Sequence, residues 1–200
     1  MSHAYVRDAN VIGALAVGLA DKIAGATERA GQAGPSGSAA LVALHGASGG
    51  VSIDGLRRIV GLTHSGAVRL VDRLAGAGLV ERRPGADQRS VALRLTPDGR
   101  RAARRVLARR EAVVEAALAG LPTDDRATLV RIVEQLLPNL VDEPADELRL
   151  CRLCDLDACG RPRGTCPVER ARQRELAAGR PAPGEPGAPA VQQMNDRTDS

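Results

Sequence analysis

Four cysteines, the only ones in the chain, fall within sixteen residues: Cys151, Cys154, Cys159 and Cys166, spaced C-x2-C-x4-C-x6-C. In a reducing compartment, thiols gathered this way read as a metal or redox site before they read as structural disulfides. Zinc comes first, because four thiolates complete a tetrahedral site. An iron–sulfur cluster follows, since Pro167 after the last cysteine matches a feature of ferredoxin ligand runs. A metal-free thiol switch is third. Arg152, Arg161 and Arg163 stand nearby to offset thiolate charge. Inert cysteines are usually buried, and a Pro/Gly/Arg-rich stretch cannot bury four of them alone. A shared ligand is therefore the expected source of order between Leu150 and Arg170, lost on chelation or oxidation.

A second set of chemically able side chains lies between Thr63 and Arg89: Thr63, His64, Ser65, Arg69, Asp72, Arg73, Arg82, Arg83, Asp87 and Arg89. Arginine can grip guanine through two hydrogen bonds in the major groove, and an arginine on a narrow tip suits the minor groove. Asp87 can hold the Arg89 guanidinium by a charge-assisted hydrogen bond. Charge follows the same map. The chain has a net +4, but residues 52–110 hold fourteen Arg against five acids, whereas 111–150 hold three against nine. Such segregation is an electrostatic footprint for phosphate. The three histidines, His3, His45 and His64, sit in no hydrolase or metalloprotease motif, so no enzyme is expected.

Those side chains need a frame, and the periodicity supplies one. Ala67, Leu70, Val71 and Leu74 form one apolar stripe, leaving Ser65, Arg69 and Asp72 opposite. Thr63 is placed as the N-cap, and Gly76 and Gly78 end the helix. The preceding helix starts at Ser52 and turns Ile53, Leu56, Ile59 and Val60 inward, with Gly61-Leu62 as the turn between them. Next, Leu79–Arg83 and Ser90–Leu95 read as two strands around Pro84-Gly85, with Val91, Leu93 and Leu95 alternating against Ala92 and Arg94. Two short helices, a two-stranded wing and a new helix make a winged helix-turn-helix, mainly α (α+β).

At this point the segment resembles the MarR family of bacterial regulators. The match runs through Thr63, Ser65, Arg69 to Leu74, Gly78 to Arg82, Asp87, Arg89 and Leu95 to Arg100. The resemblance implies a cytoplasmic transcription regulator, dimeric, that binds pseudopalindromic double-stranded DNA and is often released by a small-molecule effector or by oxidation. It does not reach the cysteines. The rival reading is a zinc or iron–sulfur redox or electron-transfer protein, which would have no reason to own a winged helix.

The flanks read as dimer helices. Ile12, Leu15, Leu19 and Ile23 repeat at helical spacing, and Val11–Ala20 has the length of a signal-peptide apolar core. Asp8 before it and the continuing stripe favour an amphipathic helix, too short in apolar residues to cross a bilayer. Gly31–Gly37 and Gly46–Gly50 read as loops, with a short helix at Ser38–Leu44. Thr96-Pro97-Asp98-Gly99 opens a helix to about Ala119 that buries Val106, Val113, Ala117 and Leu118. A last helix from Thr123 turns Leu129, Ile132, Val133, Leu136, Leu137 and Leu140 inward. Tyr5 is the only aromatic residue, so the core must gain area through extra helix contacts or a partner subunit. The expected domains are 8–142, a winged-helix and dimerisation domain, then 150–170, a four-cysteine metal module, and 180–200, a disordered tail.

Overall fold

The computed structural model describes residues 3–47, 49–85, 91–142 and 144–177. The expected tail, 180–200, and the wing-tip residues Asp87 and Arg89 lie outside the described residues. The helices are α1 (His3–Gly31), α2 (Gly34–His45), α3 (Ile53–Val60), α4 (His64–Gly76), α5 (Pro97–Leu118), α6 (Thr123–Leu136), α7 (Pro144–Leu150) and α8 (Pro167–Ala177). Strands β1 (Val80–Pro84) and β2 (Val91–Leu95) stand between α4 and α5, and single 3-10 turns occupy Leu137–Leu140 and Arg161–Arg163.

Local chemistry starts each recognition element. Ser52 Oγ accepts from Gly55 N at 3.0 Å, Thr63 Oγ1 from Gly66 N at 3.2 Å, and Thr96 Oγ1 from Gly99 N at 3.0 Å. Each satisfies a donor the first helical turn would leave orphaned. Gly61, at φ 70°, ends α3 in the left-handed region and lets Leu62 N reach Arg57 O at 3.0 Å.

The strands pair antiparallel, Val80 opposite Leu95 and Pro84 opposite Val91. Val51 and Leu93 exchange both backbone bonds, at 3.2 and 2.8 Å, so the chain entering α3 adds a third edge. Leu93 and Leu95 are buried and Arg94 is exposed, as the alternation requires. Val91 departs from it and is exposed, because its partner Pro84 is exposed too and the core lies toward Val80 and Leu95.

Without large rings, the core fills with Leu41 and Leu44 of α2, Leu56 of α3, Leu70, Val71 and Leu74 of α4, Val80, Leu93 and Leu95 of the wing, and Ala102 and Ala103 of α5. Ile53, Ile59 and Val60 are only half-buried. Small residues bring helices close. A Cβ on Gly99 would lie 1.9 Å from Leu79 O, so α5 starts hard against the base of β1.

The Gly/Pro stretch expected to be a loop is instead the start of α2, with Pro35 in its first turn. Ser38 Oγ donates to Thr27 O at 2.9 Å in a buried contact with α1, a long-range bond that local composition does not reveal. Helix α1 is also longer than its apolar repeat. By length and composition alone its stretch Tyr5–Gly31 could cross a bilayer, so shortness does not exclude that role. Its packing partners, however, are α5 and α2.

The outer helices differ most from expectation. Ile132, Val133, Leu136 and Leu140 are exposed, Leu129 and Leu137 are half-buried, and α6 buries no residue in the single chain. In α5, Val106 is fully buried, whereas Val113 and Leu118 are half-buried and Ala117 is exposed. On α1, Tyr5, Val6, Val11, Ile12, Leu15 and Val17 are exposed as well. These stripes exist, but one chain alone does not cover them.

Candidate nucleic-acid interface and cysteine segment

Burial of Ala67, Leu70, Val71 and Leu74 fixes the rotation of α4, and its opposite side presents His64, Ser65, Arg69, Asp72 and Arg73, all exposed. Thr63, the cap, is exposed at the same end, its Oγ1 3.4 Å from Ser65 Oγ. Arg69 Nε donates to Ser65 O at 3.3 Å, which lays the guanidinium back along the helix. The face therefore offers hydroxyl, imidazole and guanidinium groups in one row, a set able to meet base edges and phosphate.

The wing strand β1 runs beside that face. Arg82 Nη2 donates to Asp72 Oδ1 at 2.6 Å, joining the strand to α4. Asp72 is thus a partner of Arg82 rather than a separate reading group. Arg83 pairs with Glu81 at 3.0 Å, and the hydrogen bond from that carboxylate raises the Arg83 pKa. Arg94, absent from the sequence-derived set, is exposed on β2 and donates from Nη2 to Gly49 O at 3.1 Å. Its place in an alternating strand, next to the wing arginines, was the available signal. Arg57 and Arg58 add little free charge, since both pair with Asp54, at 2.8 and 2.7 Å. The hydrogen bond from Arg57 holds the Asp54 carboxyl below its ordinary range.

The cysteines follow through α7 and the turns beyond it. Cys151 N bonds Glu147 O at 3.0 Å and Cys154 N bonds Cys151 O at 2.9 Å. Cys159 N reaches Asp155 O at 3.0 Å, in a turn where Asp155 Oδ1 accepts from Asp157 N and Ala158 N. Cys166 immediately precedes α8 and is buried, while the other three are half-buried. All four are free thiols. The chain reverses at Gly160, φ 76°, where an added Cβ would lie 1.9 Å from Thr165 Oγ1.

The sulfurs meet in pairs. Cys151 hydrogen-bonds to Cys154, which lowers the Cys154 pKa to about 6 with help from Arg110, Arg161 and Arg152 against burial, and raises that of Cys151. Cys159 is pushed up by burial and interacts with Cys166. Among the described residues, no three His, Cys, Asp or Glu side chains converge closely enough to hold one ion. The arrangement is two dithiols side by side.

A shared ligand is not the only source of order here, contrary to the sequence expectation. Arg161 bridges Glu147 of α7 and Glu169 of α8, the latter at 2.9 Å, and Arg172 reaches Glu147 at 3.6 Å and Glu169 at 3.4 Å. Glu147 is 5% exposed, so this network is an internal frame. Burial lowers the Arg161 pKa, but Glu147, Cys151 and Glu169 outweigh it and the net shift is upward. Leu156 packs on Gly46, where a Cβ would meet its Cδ1 at 2.7 Å, and α7 packs against α3. A cleft of about 770 Å³ remains between this segment and the body, lined by His45, Leu107, Cys154, Leu156 and Arg161 among others.

Comparison with known proteins places the fold. The MarR family model matches residues 35–90, which ends well before the cysteines. Solved structures of similar fold include the YusO protein from Bacillus subtilis (21% identity, TM-score 0.57, covering 68% of this chain and 98% of that one). MepR, a transcription regulator of the Staphylococcus aureus multidrug efflux pump MepA, is similar at 14% identity and TM-score 0.58, covering 70% and 100%. RV1404 from Mycobacterium tuberculosis is similar at 25% identity and TM-score 0.55, covering 68% and 93%. No curated protein sequence matches significantly. With the capped helix pair, the two-stranded wing and the matched segment in agreement, the chain carries a MarR-family winged-helix domain.

Proposed function

We propose that this chain is a cytoplasmic, sequence-specific transcription regulator that binds pseudopalindromic DNA as a homodimer. The observation that carries the reading is the joined surface of α4 and β1. Thr63, His64, Ser65, Arg69 and Arg73 form one exposed face, and Arg82 is held beside it by Asp72. That surface lies in the part of the chain with the +9 local balance. Helix α4 enters the major groove, and the wing, with Asp87 and Arg89 at its tip, lies along the minor groove.

The exposed apolar stripes of α1 and α6 support the dimer, since patches of this kind on a soluble domain mark interaction surfaces. Two copies then set their recognition helices about one DNA turn, ~34 Å, apart. A small-molecule effector and a metal or redox input through the cysteines are the regulatory routes of this reading.

Selection of bound duplexes from a random pool tests it. Enrichment of an inverted repeat, bound by a species of dimer mass in light scattering, is the expected result. Binding that shows no sequence preference at physiological salt, or a monomer at micromolar concentration, overturns it.

A further inference from the structure

We propose that Cys151, Cys154, Cys159 and Cys166 hold one iron–sulfur cluster per chain, the 151/154 pair at one end and the 159/166 pair at the other. This goes beyond the DNA-binding reading and stands independently of it.

Pairing is the first ground. A lone zinc ion, ~2.3 Å from each sulfur, draws its four ligands to within roughly 4 Å of one another around a single point. The side chains do not converge on such a point. They form two interacting pairs, and the pairs lie within electrostatic reach of each other, Cys151 with Cys166 and Cys154 with Cys159. A polynuclear centre takes its thiolates in this spread form, because different irons bind different cysteines across a sulfide-bridged core.

Charge is the second ground. Four thiolates around an iron–sulfide core leave a net negative centre. Arg110 from α5, together with Arg152 and Arg161, faces Cys154. Arg161 is itself fixed by Glu147 and Glu169, so the guanidinium is in place before any metal arrives. The third ground is enclosure. Cys166 is 4% exposed, and the frame of α7, Gly160 and α8 holds the turns that carry the ligands. Such a preset pocket suits a cluster, whose stability depends on limited solvent access and on the surrounding electrostatics.

The test uses the full chain purified without oxygen, and the same chain reconstituted with ferrous iron, sulfide and a thiol reductant. Iron and acid-labile sulfide in equal amounts, with visible charge-transfer absorption, are the expected result. Cys159→Ser, a change at a half-buried position, should lower bound iron at least tenfold while leaving the helical circular dichroism intact. Since Cys166 is buried, Cys166→Ser serves only as a second variant, read for iron after its fold is checked. Zinc without sulfide overturns the proposal, and so do four freely titrating thiols after reconstitution. Unchanged iron in a folded Cys159→Ser protein overturns the ligand set.

Discussion

Asp72 on α4 and Arg82 on β1 are joined by a 2.6 Å ion pair ten residues apart in sequence. The pair couples the recognition helix to the wing, so the two parts of the surface share one orientation. Both side chains are solvent-exposed, and an exposed pair contributes only ~0–1 kcal/mol to stability. Its weight falls on DNA affinity instead. Asp72→Asn should weaken operator binding by about three- to tenfold, around 0.7–1.4 kcal/mol, with little change in Tm. Fluorescence anisotropy beside a thermal melt reads both, and a large Tm loss with unchanged affinity contradicts the assignment.

Arg69 lies on the open face of α4 with only a backbone partner. Arg69→Ala should cost on the order of 1–3 kcal/mol in operator affinity and relax preference at one position per half-site. Binding to a panel of single-base operator variants measures it. Equal discrimination by mutant and parent would remove Arg69 from base reading.

Gly99 has no room for a side chain, because Leu79 O occupies the Cβ position. Gly99→Ala should destabilise the chain by ~1–3 kcal/mol through overpacking at the base of the wing. Urea unfolding with unchanged midpoint would show that α5 shifts freely there.

Leu136 and Ile12 sit on the uncovered stripes of α6 and α1, at 50% and 62% exposure. Leu136→Glu or Ile12→Glu should leave the winged-helix core folded and shift the dimer toward monomer by at least tenfold in Kd. Sedimentation at several concentrations reads this, and an unchanged dimer would place the interface elsewhere.

Glu169 carries the pH dependence of the cysteine segment. Burial raises its pKa, but Arg161 and Arg172 outweigh burial and the folded value is depressed. Its contribution is therefore fully present above the ordinary carboxylate value and lost as pH falls through the depressed one. Hydrogen exchange in α7 and α8 should quicken on acidification through that window in the metal-free chain. Glu169→Gln should remove most of the dependence, and an identical pH profile would exclude Glu169 as its source.

Much of this was readable along the chain because it is local. Ser52, Thr63 and Thr96 cap helices through bonds three residues long, and the stripe of α4 follows from its own spacing. The misread parts depend on distant partners. The Gly34–Gly37 run looks like a loop until Ser38 finds Thr27 O on another helix. The stripe of α6 implies burial but cannot say whether its cover is the same chain. Likewise the cysteine spacing announces thiolate chemistry, while the frame of Glu147, Arg161, Glu169 and Arg172 is spread over twenty-six residues and leaves no periodic trace. Sequence also placed Asp72 and Arg82 in the same surface without revealing that each occupies the other.

Tyr5, the one aromatic ring in the chain, stands 66% exposed on α1 among Val6, Ile12 and Leu15. No ring lies in the winged-helix core, so ultraviolet emission from this protein is blind to the packing of that core. It senses instead whatever settles onto the first helix. Subunit exchange can thus be followed in the unlabelled protein through tyrosine anisotropy, with the native chain serving as its own association probe.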